Sequence, residues 1–178
     1  MESFNQLNTS FAAKLDLLIK DCSIVDVKGS KNIIVRSIYC DSRKVEPGSL
    51  FVAIRGNQSN GESFIEQALK KGASVVVAES PCFPDKSLYT EKVTYVQVKN
   101  CRETLSLIAS KFYKEPSRKL RLFGITGTNG KTTVAYLLES IFQNQGKSVG
   151  VIGTINSRYP KKVKASSMTT PESLDLNR

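Results

Sequence analysis

The stretch FGITGTNGKTTVAYLL at 123–138 constrains the fold more than any other segment. It runs from an apolar segment through two glycines and a lysine into a helical pattern. A junction of that kind calls for a strand before the turn and a helix after it, so it predicts an α/β fold. Within GTNGKTT, Gly127 and Gly130 permit backbone angles closed to other residues. The N–H groups around Thr128 and Asn129 then turn inward as an anion nest at a helix N-terminus. Lys131 reaches the β- and γ-phosphates as a point charge, the Thr132 hydroxyl is placed for Mg²⁺, and Thr133 completes the run. The strict P-loop spacing wants a glycine where Ile125 stands, and Gly124 comes one residue too early. A glycine-rich turn that binds nothing is the plain alternative. The strand-and-helix context favours a nucleoside triphosphate with Mg²⁺, with Lys131 as the candidate group at a transferring phosphoryl.

Other chemistries have less support. The 178 residues contain no histidine, which removes the commonest general base and metal ligand. Cys22, Cys40, Cys82 and Cys101 lie far apart, so reduced, mostly buried thiols are expected rather than zinc or redox use. The net charge of +10 invites a nucleic-acid reading. Its distribution argues against one: residues 1–117 carry 16 basic and 13 acidic side chains, residues 118–178 carry 10 and 3. Apart from KKVK at 161–164 the excess is scattered, without the aromatic interleaving of single-strand binders. No apolar run approaches the length of a membrane span, and the N-terminus lacks a basic start followed by an apolar block. A cytoplasmic protein with no membrane partner is expected.

Along the chain, Leu7, Phe11, Leu15 and Leu18 recur at helical spacing. Extended segments follow at 24–27, 33–39 and 50–54, with Pro47-Gly48 marking a turn. The segment 62–72 reads as a helix that turns Phe64, Ile65, Ala68 and Leu69 to one side and stops at Gly72. SVVVA at 74–78 and VTYVQV at 93–98 read as strands separated by a loop. Asn100 and Glu103 suggest a capping box for a helix running to about Tyr113. The polar, proline-bearing KEPSRK at 114–119 suggests a boundary between residues 1–117 and 118–178. After it come a strand at 120–126, the glycine loop, a helix at 131–145 stopped by Gly146, and a strand at 148–155. Together these predict one βαβ unit. NSRYPKKVKASSM is expected to be a solvated loop, and TTPESLDLNR a helix start with Thr170 as N-cap and Pro171 first. Residues 118–178 hold too little to bury a core of their own, so either they dock on residues 1–117 or the chain is the front part of a longer protein, and the fragment is the expectation.

Three stretches carry a resemblance to a known family. GTNGKTT in its shortened form, CDSRKVEPGSLFVAIRGNQSNGESFIEQALKKGASVVVAE at 40–79 and GTINSRYPKKVKASSMTTPESLDL at 153–176 resemble the Mur ligase superfamily, and within it the tripeptide-forming branch. The resemblance implies an N-terminal UDP-binding α/β domain followed by the truncated start of a P-loop ATPase-type central domain. It implies an ATP-dependent ligase of peptidoglycan precursor synthesis that adds a third amino acid, diaminopimelate or lysine, to UDP-N-acetylmuramoyl-L-alanyl-D-glutamate through an acyl phosphate. It places Ser42 of the D-S-R turn at the uridine end of that substrate. It also assigns Asn57, Gln58 and Ser59 to a second UDP-contacting stretch, where Asn57 replaces the histidine common in the family, and Thr169 and Thr170 to a Thr-Thr-Pro motif that meets the UDP-sugar-peptide. Asp41 and Arg43 read as a pair bracing the turn. Each of these also has a plainer reading, as turn, loop or helix-cap residues.

In the family a modified lysine, a Mg²⁺-binding glutamate and histidine, and a C-terminal domain lie further on. The expectation is therefore that this chain binds its ligands without catalysing, and that the full-length protein is a monomer. The alternatives are the related ligase that adds D-alanyl-D-alanine and a non-catalytic remnant that binds the UDP-substrate. The Thr-Thr-Pro-Glu run at 169–172 favours the tripeptide-forming branch.

Overall fold

Some segments of this chain are too apolar to face water on either side, and they form the centre of a parallel sheet. The computed structural model describes residues 11–56, 60–81, 92–160, 162–166 and 170–178. These form two compact units, Met1–Lys119 with Asn177–Arg178, and Leu120–Leu176. In chain order the first unit contains β1 (Ala13–Lys14), α1 (Leu15–Ile19), β2 (Ile24–Lys28), β3 (Ile34–Val35), β4 (Ile38–Tyr39), β5 (Leu50–Val52), α2 (Ile65–Lys70), β6 (Val75–Ala78), β7 (Thr94–Val98) and α3 (Cys101–Phe112). Short 3₁₀ turns occupy Ser42–Lys44, Gly61–Phe64 and Pro116–Lys119.

The main sheet has the order β2-β7-β6-β5-β4. Strands β4 to β7 run parallel, and β2 lies antiparallel on the edge beside β7. Every residue of β5 and β6 is buried, as a strand covered on both faces requires. Phe51, Val76, Ala78 and Tyr95 pack with Ile65 and Ala68 of α2 and with Val45. Burial of a Val, Ile or Phe side chain stabilises by about 1.5–3 kcal/mol. Helix α3 buries Cys101, Thr104, Leu105, Ile108, Ala109 and Phe112, a stripe with helical periodicity. Its N-terminus is capped by the Asn100 side chain, which accepts from the N–H groups of Arg102 (2.9 Å) and Glu103 (3.1 Å).

Three features of this unit depart from the sequence reading. The N-terminal helix is a five-residue turn preceded by β1, and Leu7 lies outside the described residues. The segment 33–39 is two strands rather than one. β3 pairs with β1, while β4 pairs with β5. The chain changes sheets at Arg36 and Ser37, whose backbones bond instead to Gly48 and Leu50. The helix at 62–72 opens with the 3₁₀ turn, leaving Phe64 41% exposed rather than on the buried face.

The second unit contains α4 (Lys131–Asn144), β8 (Val151–Ile152), β9 (Asn156–Tyr159), β10 (Lys162–Ala165) and the start of α5 (Ser173–Asn177). Helix α4 ends in a Schellman motif: Gly146, at φ +71°, donates to Gln143, and Lys147 donates to Phe142. The predicted βαβ unit is absent. Residues 120–126 enter no ladder, and β8 pairs antiparallel with β9. A strand exists only by its neighbour, and Leu122 and Phe123 are 69% and 60% exposed, although the Phe123 ring meets Phe142 at 5.1 Å. The expected solvated loop is the β9–β10 hairpin, with Tyr159 opposite Lys162 and Arg158 opposite Val163. Arg158 fastens that hairpin to α4: its guanidinium lies 3.8 Å over the Tyr136 ring and forks onto the Glu139 carboxylate. Helix α4 buries no residue, and Leu174 alone among the described apolar side chains of this unit is buried.

Candidate functional site

The glycine loop belongs to the second unit. Helix α4 starts at Lys131 with Gly130 as its N-cap at φ +77°, a left-handed conformation that favours glycine. Gly127, at φ +150°, is the loop's other positive-φ residue. No side chain caps the helix, and the first intrahelical bond runs from Val134 N–H to Gly130 O at 2.9 Å. The N–H groups of the first turn are therefore available to an anion. Nothing lies within 4 Å of the place where a Cβ on Gly130 would stand, so the space beside that residue is open. Lys131 turns its ammonium back over the loop, donating to Gly127 O at 2.5 Å and Thr128 O at 3.3 Å. Gly127, Thr128, Asn129, Gly130 and Thr133 are exposed, and Thr132 is half-buried. This backbone and its one lysine fit a polyphosphate. The described residues hold no cluster of three carboxylate, cysteine or histidine ligands. A Mg²⁺ here would take the Thr132 hydroxyl and otherwise phosphate oxygens and water, the usual habit of that ion.

The D-S-R turn belongs to the first unit. β4 and β5 are adjacent and parallel, so the turn after β4 and the loop after β5 both emerge at the carboxyl edge of the sheet, where open α/β sheets bind ligands. Asp41 caps the turn, accepting from Arg43 N–H at 3.0 Å and from the guanidinium at 2.9 Å through both oxygens. These bonds from Arg43 hold the Asp41 carboxyl well down, at about 2. The pair braces the turn, in line with its sequence. Ser42 is 5% exposed and donates its hydroxyl to Gln67 Oε1 of α2 at 2.6 Å. Lys71, one turn further along, donates to Arg43 O.

The loop after β5 is closed at its base by a bridge between Arg55 and Asn60. Asn60 caps the following 3₁₀ turn, accepting from Glu62 N–H at 3.2 Å. Asn57, Gln58 and Ser59 lie outside the described residues, as does Thr169. Thr170 is exposed and caps no helix: α5 begins at Ser173, with Glu172 O accepting from Asp175 and Leu176. The helix therefore starts two residues later than the sequence suggests, with the Glu172 carboxylate accepting from Ser173 N–H at 3.1 Å. Ser42 and the base of the 57–59 loop thus belong to one unit, the glycine loop and Thr170 to the other.

Sequence reasoning missed Gln67 and Lys71, four apart on a helix and so on one face, which is the only signal it offered. It also missed a network behind the loop. Glu62 accepts from Ser80 N–H (2.9 Å) and Oγ–H (2.6 Å), and the Tyr95 hydroxyl donates to Ser80 O (2.7 Å). Burial pushes the Glu62 carboxyl up, but the bonds from Ser80, the Glu79 backbone and Asn60 together bring it below its ordinary value.

Comparison with known proteins identifies relatives of both units. Residues 34–113 match the Mur ligase family, catalytic domain, and residues 125–178 match the Mur ligase middle domain. The UDP-N-acetylmuramoyl-L-alanyl-D-glutamate–2,6-diaminopimelate ligase of Alkaliphilus metalliredigens is 42% identical over 92% of this chain and 32% of its own length. The ligase of the same name from Cytophaga hutchinsonii is 44% identical over 90% of this chain and 32% of its own length. A solved structure of a ligase of that name superposes with a TM-score of 0.68 at 23% identity, over 93% of this chain and 32% of that one. The chain spans about a third of the length of these curated relatives. The two family matches take in both units, and the chain belongs to the Mur ligase family.

Proposed function

We propose that this chain is the substrate-binding and ATP-loop portion of an ATP-dependent ligase that adds a third amino acid, diaminopimelate or lysine, to UDP-N-acetylmuramoyl-L-alanyl-D-glutamate. The observation that carries the reading is the open, left-handed Gly130 cap with Lys131 folded over the loop, in a chain whose curated relatives bear that ligase name. Residues 1–117 form the UDP-substrate domain, and residues 118–178 begin the central ATP domain.

In this reading ATP supplies the phosphoryl group that turns the D-glutamate carboxylate oxygen into a leaving group. The amine of the incoming amino acid then attacks the acyl carbon and phosphate departs, leaving an amide. Lys131 leaves the Gly127 carbonyl to meet the β- and γ-phosphates and offsets charge on the transferring phosphoryl. The N–H groups of 127–133 orient the phosphates, and the Thr132 hydroxyl ligates Mg²⁺. Ser42 and the 57–59 loop hold the uridine end, and Thr169 and Thr170 meet the sugar-peptide. The protein works in the cytoplasm as a monomer. No helix among the described residues is long and apolar enough to cross a membrane.

The 178-residue chain on its own binds these ligands without turning them over. Equilibrium dialysis with labelled ATP and labelled UDP-dipeptide tests this, with retention of both and no ADP as the expected result. Steady ADP release indifferent to the UDP-dipeptide would mean a general nucleotide hydrolase instead. A D-alanyl-D-alanine-adding ligase is the second reading; structures of MurF from Acinetobacter baumannii share the fold at a TM-score of 0.54. Their 22% identity speaks for fold alone, against 42–44% for the diaminopimelate ligases.

A further inference from the structure

We propose that Gln67 is a positioning residue that turns Ser42 into a pure hydrogen-bond acceptor, so that Ser42 selects an N–H or O–H group of the uridine and not a phosphate oxygen. This rests on the reading that Ser42 contacts the UDP-substrate.

A serine hydroxyl has one proton to give and two lone pairs to receive. In Ser42 that proton is spent on Gln67 Oε1 at 2.6 Å, and the side chain is 5% exposed, too enclosed to rotate freely toward another acceptor. What remains for a ligand is lone-pair density. A phosphate oxygen, which only accepts, gains nothing there. A ribose hydroxyl or the ring N–H of uracil does.

The same helix face holds the turn a second time. Lys71, four residues after Gln67, donates to Arg43 O, the residue next to Ser42. Asp41 fixes the other end by accepting from Arg43 N–H and its guanidinium. The turn is thus clamped on both sides of Ser42, and among the described residues Gln67 sets the direction of its hydroxyl. Gln67 is itself solvent-exposed, so it contributes little to the core and its role can be separated from folding.

The test is calorimetric titration of the 178-residue chain with UDP-N-acetylmuramoyl-L-alanyl-D-glutamate, with melting temperatures measured on the same samples. Gln67→Leu is expected to weaken binding roughly tenfold while lowering the melting temperature by only a few degrees, the cost of one lost hydrogen bond. Gln67→Glu, which keeps an acceptor at the same place, should bind within roughly threefold of the parent. In a Ser42→Ala background, Gln67→Leu should have no further effect. Parent-like affinity for Gln67→Leu, equal losses for the Leu and Glu variants, or additive losses with Ser42→Ala would each overturn the proposal. A parent chain that fails to bind, or a Ser42→Ala variant that binds unchanged, would instead remove the reading beneath it.

Discussion

Lys131 donates to the carbonyl of Gly127 at 2.5 Å, so the lysine expected to meet a nucleotide is bonded to its own loop. The bond supplies a partner for the ammonium and ties it to the glycine turn beside a helix terminus with no side-chain cap.

The first prediction comes from that contact. Lys131→Ala should weaken ATP binding by roughly 10- to 100-fold, the worth of one charge-assisted bond to phosphate. It should barely move the melting temperature, because α4 buries no residue. Fluorescent-nucleotide titration beside a thermal melt checks both parts.

Gly61 has no room for a side chain. A Cβ there would stand 2.4 Å from Ile54 O and 2.6 Å from Ile54 N, both backbone atoms that cannot rotate away. Gly61→Ala should therefore cost about 1–3 kcal/mol in urea unfolding. It should also displace the base of the 57–59 loop and weaken the UDP-substrate along with stability.

The Asp41–Arg43 pair sets a pH window. The Asp41 carboxyl is held from 3.8 down to about 2, so its contribution is complete above about pH 4 and is lost as pH falls through about 2. Melting temperatures of the parent and Asp41→Asn should differ by a constant amount from pH 7 to pH 4. The difference should then shrink toward pH 2. A gap that persists at pH 2 would show that the carboxylate charge is not what holds the turn.

Cys101 is fully buried at the start of α3, and burial first, then the nearby Glu79 and Glu62 charges, push its thiol up to about 12. Native protein treated with iodoacetamide at pH 8 should remain unlabelled at Cys101 by peptide mass mapping. Labelling should appear only in denaturant.

The parallel sheet was legible because 50–52 and 75–78 are continuous apolar runs, a pattern that only two-sided burial explains. Helix α3 was legible from its cap and its stripe, and α4 from the glycines at its two ends. The split at Arg36 and Ser37 was not, because sheet membership is decided by partners far along the chain. The β9–β10 hairpin hid behind a lysine-rich composition, since an exposed antiparallel edge needs no apolar alternation. At the site, Gly127, Gly130 and Lys131 announced themselves by spacing. Gln67 did not, because an exposed glutamine on a helix looks like solvated surface until its partner 25 residues away is placed beside it.

The decisive measurement is the mass of the product when the natural protein carrying this chain is given ATP, UDP-N-acetylmuramoyl-L-alanyl-D-glutamate and either meso-diaminopimelate or L-lysine. A ligase of this kind gives a UDP-linked tripeptide containing one of the two, with one ADP released for each amide formed. ADP released at the same rate without the dipeptide or the amino acid, and no tripeptide, would contradict the ligase reading.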